Sequence, residues 1–147
     1  MKRQLIIGYV LLFAWMAVIF VLSSEGHEAS SGRSDAIVGA LQAWGVVGPT
    51  ELLTFLTRKM AHIVAYFILG GLAFNVLRRY ALRLRWQWLA SFGVVVLYAM
   101  GDELHQVFVP GRSGELRDVA IDSVAGAVGI IATWMIYKKY LLYKSQK

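Results

Sequence analysis

Arg58, His62 and Tyr66 follow one another at intervals of four, so on a helix they would line a single stripe. Asp118 and Asp122 repeat that interval, and Asp102 and Glu103 both lie within one helical turn of Gln106. These are residue types suited to acid–base and anion-binding chemistry. A histidine titrates near neutral pH and serves as general base or nucleophile when a carboxylate orients it. Arginine offers a planar fork of donors that fits phosphate or carboxylate. His62, Glu103, Asp102 and Asp122 are therefore candidate catalytic groups. Arg58, Lys59, Tyr66, Gln106, Arg112 and Asp118 are candidate substrate-binding groups.

Other chemistries lack their motifs. The chain has no cysteine, which removes thiolate catalysis and disulfides, and no GxSxG elbow. No phosphate-binding loop or dinucleotide fingerprint is present, so no cofactor is expected. The spacing of His62, Asp102, Glu103 and Asp118 matches no dense metal-ligand pattern such as HExxH, so no metal is expected either.

The elements that must hold these residues are read from hydropathy. Of the 147 residues 58% are hydrophobic and only 16% charged, and mean hydropathy is +0.57. A chain this short has too little interior to hide so much apolar side chain, so lipid must solvate the rest. The expectation is an all-α integral membrane protein, one domain over 1–147, forming a bundle of four transmembrane helices. The spans fall at approximately 5–22, 57–77, 86–108 and 119–137, with outer loops at 23–50 and 109–118. No small-x-small cleavage site closes the first apolar run, which therefore reads as an uncleaved span. Pro49 and Thr50 supply a start for a helix running without a breaker to Leu77. Ala36 to Trp44, within the first loop, is a candidate short interfacial helix.

Charge sets the orientation. The net charge is +6, and ten of the fifteen Lys and Arg residues sit at the N-terminal tip, in the linker from Arg78 to Arg85, or in the C-terminal tail. None of the nine acidic residues does. Basic segments flanking spans disfavour nucleic-acid binding and, by the positive-inside rule, place both termini in the cytoplasm. The acids and the three histidines then lie toward the outer face. Counted from the basic edge, His62 is sixteen residues from Arg78, Asp102 seventeen from Arg85, and Asp122 sixteen from Lys138. Each is ~24–26 Å along its helix, so three helices present ionisable groups at one depth. Ala125, Gly126 and Gly129 continue the stripe of Asp118 and Asp122, and such small residues admit a neighbouring helix closely. Pairing of Arg58 with Asp118, and of His62 with Asp122 or Asp102, would offset the cost of burying charge.

At these residues the chain resembles the VanZ-like family of bacterial membrane proteins. The likeness lies in Arg58-Lys59-Met60-Ala61-His62 followed by Tyr66, in Asp102-Glu103 followed by Gln106, and in Pro110-Gly111-Arg112 leading to Asp118-Val119. Asp122, Gly126 and Gly129 complete it, and the Leu22-Ser23-Ser24 stretch is similar to that family's first loop. The family often has Asn where this chain has Asp122. The resemblance implies a cell-envelope protein of the bacterial cytoplasmic membrane and, through the family's name, a link to resistance against the glycopeptide teicoplanin. It implies no catalytic activity. Membrane lipids, a lipid-linked cell-wall precursor or a glycopeptide are the partners that it and the residues suggest.

Three readings stay open: an enzyme acting on an anionic lipid or cell-wall precursor, a binding or shielding protein, and a structural role in which the polar cluster only staples the helices. Under the last, Lys59 is an interfacial anchor, His62 a packing residue, and Asp118 with Asp122 a register pair. His27 and His105 are expected to face solvent.

Overall fold

Five helices make up the computed structural model, which describes residues 2–24 and 27–146 apart from the side chains of 27–31 and 33. They are α1 (Lys2–Ser24), α2 (His27–Ala43), α3 (Thr50–Leu77), α4 (Leu84–Gln106) and α5 (Leu116–Ser145). No strand occurs among the described residues. The all-α expectation holds, and α3 starts and stops where Pro49-Thr50 and the Arg78-Arg79 pair predict.

Three helices, α1, α3 and α5, are long and apolar enough to cross a membrane. α4 has the length, at 23 residues, but Arg85 and Gln87 at one end and Asp102, Glu103, His105 and Gln106 at the other dilute its hydropathy. The count of four spans thus rests on three helices that meet the criterion and one that does not. α1 turns a broad apolar face outward, with Val10, Phe13 and Val21 all at least 60% exposed. Such a surface is far too large for water to cover without cost.

The first outer loop is a correction. Residues 23–50 are mostly helical, and the short helix expected from Ala36 begins at His27. Its Ser and Gly residues are weak helix formers, so local propensity hid it. Tertiary contact overrides propensity here: Val38 is fully buried, and Thr54 Oγ1 on α3 donates to Asp35 Oδ1 at 2.6 Å. The helix ends in a glycine cap. Gly45 takes φ +93°, while its N–H reaches Gln42 O and that of Val46 reaches Leu41 O, which satisfies two terminal carbonyls. α5 also runs eight residues beyond the expected Tyr137.

α3 and α5 lie parallel, held by a contact with almost nothing between the backbones. A Cβ built on Gly129 would stand 1.9 Å from Phe67 O, and one on Gly70 would stand 2.1 Å from Gly126 O. Only glycine permits that approach. α4 packs over the same seam, with Val95 against Gly126. α1 is fastened by side-chain donors reaching helix carbonyls, Trp15 Nε1 to Ala65 O at 2.9 Å and Tyr98 Oη to Met16 O at 2.5 Å. The core of Leu69, Phe74, Val95, Ala99 and Ile130 fills the middle. At one end Gln4 meets Arg79, and Arg78 stacks over Tyr137. At the other, the end of α1 and α4 meets the start of α3 and α5, and the ionisable residues gather there.

Candidate functional site

The glycine seam brings the α3 and α5 stripes into register. Lys59 Nζ pairs with Asp118 Oδ2, and one turn deeper His62 Nδ1 stands 3.5 Å from Asp122 Oδ2. In the first pair Lys59 is a partner of the carboxylate that spacing assigns to Arg58, and so is more than an interfacial anchor. The second takes one of the two expected routes. At that distance the imidazole lies within ion-pair reach, but Asp122 Oδ2 makes no hydrogen bond, although Asp122 is only 2% exposed. His62 itself is about one-quarter exposed, so the dyad has a buried acid and an accessible base.

Asp102 takes no part in that dyad. Its Oδ2 accepts from Ser23 Oγ at 3.0 Å, Tyr66 Oη at 3.1 Å and Gln106 Nε2 at 3.4 Å. One carboxylate thus joins α1, α3 and α4, and all four residues are buried. Tyr66, fully buried, is both a packing residue and a donor, stacked nearly parallel to the His62 ring at 6.4 Å.

Glu103 faces the loop instead. Its Oε2 accepts the Glu115 backbone N–H at 2.8 Å, just ahead of α5. The same loop turns sharply at Pro110-Gly111, where Arg112 N–H bonds Val109 O at 3.1 Å and Gly111 takes φ +74°. Proline followed by a left-handed glycine is the sequence of a type II turn. The turn folds Arg112 back over the helix ends, where its Nη1 donates to Gln106 Oε1 at 3.4 Å.

The result is a cavity of about 260 Å³. Its lining includes Arg58, Lys59 and His62 from α3, Asp118 and Asp122 from α5, and Gln106, Arg112, Ser113 and Glu115 from α4 and the loop. A second cavity of about 250 Å³ adjoins it and shares Arg58, His62 and Arg112. Apart from these, its walls are mainly apolar, from Ile19 and Leu22 of α1, Ile37 of α2, and Ala61 and Ala65 of α3, with the hydroxyl groups of Ser23, Ser34 and Thr57 among them.

Of the ten residues singled out by spacing, seven line the polar cavity: Arg58, Lys59, His62, Gln106, Arg112, Asp118 and Asp122. Asp102, Glu103 and Tyr66 stand behind it as supports. Ser23, Ser113 and Glu115 were not singled out by spacing. The Pro110-Gly111 turn was the available signal for the last two, since it reverses the chain toward the helices. For Ser23 the signal was the Leu22-Ser23-Ser24 stretch, which resembles the family's first loop. His105, expected in solvent, is half-buried against the Phe20 ring at 4.7 Å and Ser24 Oγ at 3.1 Å. The His27 side chain lies outside the described residues. Among the described residues no group of three or more His, Asp or Glu side chains is placed to hold a metal ion.

The match to known families follows the same frame. No curated protein and no solved structure matches the chain. The family model VanZ/LLP1 matches residues 8–138, which takes in α2, α3, α4 and the cavity-lining loop whole. With that match and its long apolar helices, the chain is a membrane protein and belongs to the VanZ/LLP1 family.

Proposed function

We propose that the polar cavity binds the anionic headgroup of a membrane lipid or lipid-linked cell-wall precursor at the outer leaflet of the bacterial cytoplasmic membrane. In this reading α4 crosses the bilayer with α1, α3 and α5, and both termini are cytoplasmic. The observation that carries it is the meeting of Arg58, Lys59 and Arg112 around one cavity, beside His62 and its buried carboxylate partner. Guanidinium forks suit a phosphate or carboxylate, and a cavity at the membrane edge excludes part of the competing water. An intramembrane ionisable cluster of this kind is expensive to hold for packing alone.

A catalytic reading draws support from the dyad. Asp122 facing Nδ1 leaves Nε2 of His62 as the nitrogen available to a bound molecule, the arrangement of an oriented general base. Lipid and precursor profiles of cells with and without the protein separate the two readings, since a binder converts no species. The family resemblance makes teicoplanin resistance the phenotype to follow. Arg58→Ala and His62→Ala should abolish that phenotype at normal membrane abundance. Loss of the protein itself from the membrane would favour the stapling role instead.

A further inference from the structure

We infer that the second, apolar cavity receives a hydrocarbon chain of the same molecule whose headgroup occupies the polar one, so that the ligand is an acylated or prenylated anion drawn sideways from the bilayer. This rests on the headgroup reading above and deepens it. The two cavities are not independent features. Arg58, His62 and Arg112 line both, so one molecule placed at these residues reaches either side of them. On one side the walls carry Lys59, Asp118, Asp122 and Gln106; on the other they are mainly Ile19, Leu22, Ile37, Ala61 and Ala65, with Ser23, Ser34 and Thr57 adding only hydroxyls. That is a polar compartment and an apolar one joined at a cationic neck, the shape complementary to an amphiphile.

Size agrees with this division. Each cavity alone is below the roughly 300–1,000 Å³ of an ordinary ligand site, and the two joined fall inside it. Placement agrees as well. The apolar walls come from α1, α2 and α3, and α1 presents its remaining apolar side chains outward, so the compartment borders the surface that lipid covers. A chain already dissolved in lipid gains little by moving between apolar surroundings. The groove therefore adds little affinity of its own, but blocking it excludes the chain and, with it, the headgroup that the chain carries.

The test uses the full chain in nanodiscs of phosphatidylcholine with two probes, dipalmitoyl phosphatidic acid and water-soluble glycerol 3-phosphate. Ala61→Trp and Ile37→Trp fill the apolar compartment from two different helices, and Ile37 is half-exposed, so its substitution spares the core. Both variants should retain phosphatidic acid at least tenfold more weakly than the parent and bind glycerol 3-phosphate within twofold of it. Unchanged phosphatidic acid retention in both variants, with glycerol 3-phosphate still bound, would overturn the chain groove and leave the headgroup site standing. Failure of the parent protein to bind either probe would overturn the headgroup site and the groove with it.

Discussion

Glu103 accepts the backbone N–H that opens α5, and Asp102 gathers three donors from three helices. Neither side chain lines the cavity, and each holds neighbouring elements in place. Glu103→Ala should leave the Glu115 N–H without its acceptor and lower stability by about 1–3 kcal/mol. Glu103→Gln, which keeps a carbonyl oxygen there, should recover most of that loss in thermal unfolding of the detergent-solubilised protein. His62→Ala should behave in the opposite way, with unfolding little changed and anion binding reduced at least tenfold. The sequence alone grouped Glu103 with His62 because depth along a helix is countable, whereas the direction in which two adjacent carboxylates point is not. Asp102 and Glu103 are neighbours in the chain, yet one faces the bundle and the other the loop. That Lys59 reaches Asp118 was hidden for the same reason, because Arg58 and Lys59 both lie within reach on spacing.

The helices that were easiest to foresee are those whose local signals and burial agree. α3 has Pro49-Thr50 at its start, an apolar run and a basic stop, and it folds over those bounds. The small-residue stripe of α5 likewise announced a close neighbour. That contact supplies a sharp test. Gly129→Ala should clash with the α3 backbone and cost on the order of 3 kcal/mol or more, seen as loss of folded protein from the membrane. Gly93→Ala, whose added Cβ meets nothing within 4 Å, should stay within about 1 kcal/mol of the parent. α2 was illegible as a full helix because its stability resides in Val38 and the Asp35–Thr54 hydrogen bond rather than in its own residues. The polar ends of α4 hold Asp102, Glu103 and Gln106, so the features that weaken its hydropathy are the ones that build the site.

For the molecule as a whole, the gathering of acids at one end and basic clusters at the other makes orientation measurable. A reporter active only outside the cytoplasm should work when fused after Gly114 and stay silent after Arg83, and the reverse would place the cavity on the cytoplasmic side. The glycine seam carries a mechanical consequence. Side chains that separate two helices can change rotamer and let the helices slide, but α3 and α5 touch through carbonyl oxygens and bare α-carbons. With few interposed rotamers to redistribute along the seam, these two helices form a stiff pair, which holds Lys59 near Asp118 and His62 near Asp122. Under the proposed headgroup reading, admission of a ligand would come from the lighter pieces set against that pair: α1, α2 and the turn that carries Arg112. On that reading the two ion pairs keep their register while the entrance moves, and crosslinks that tie α2 to α3 should slow ligand exchange without altering the bound state.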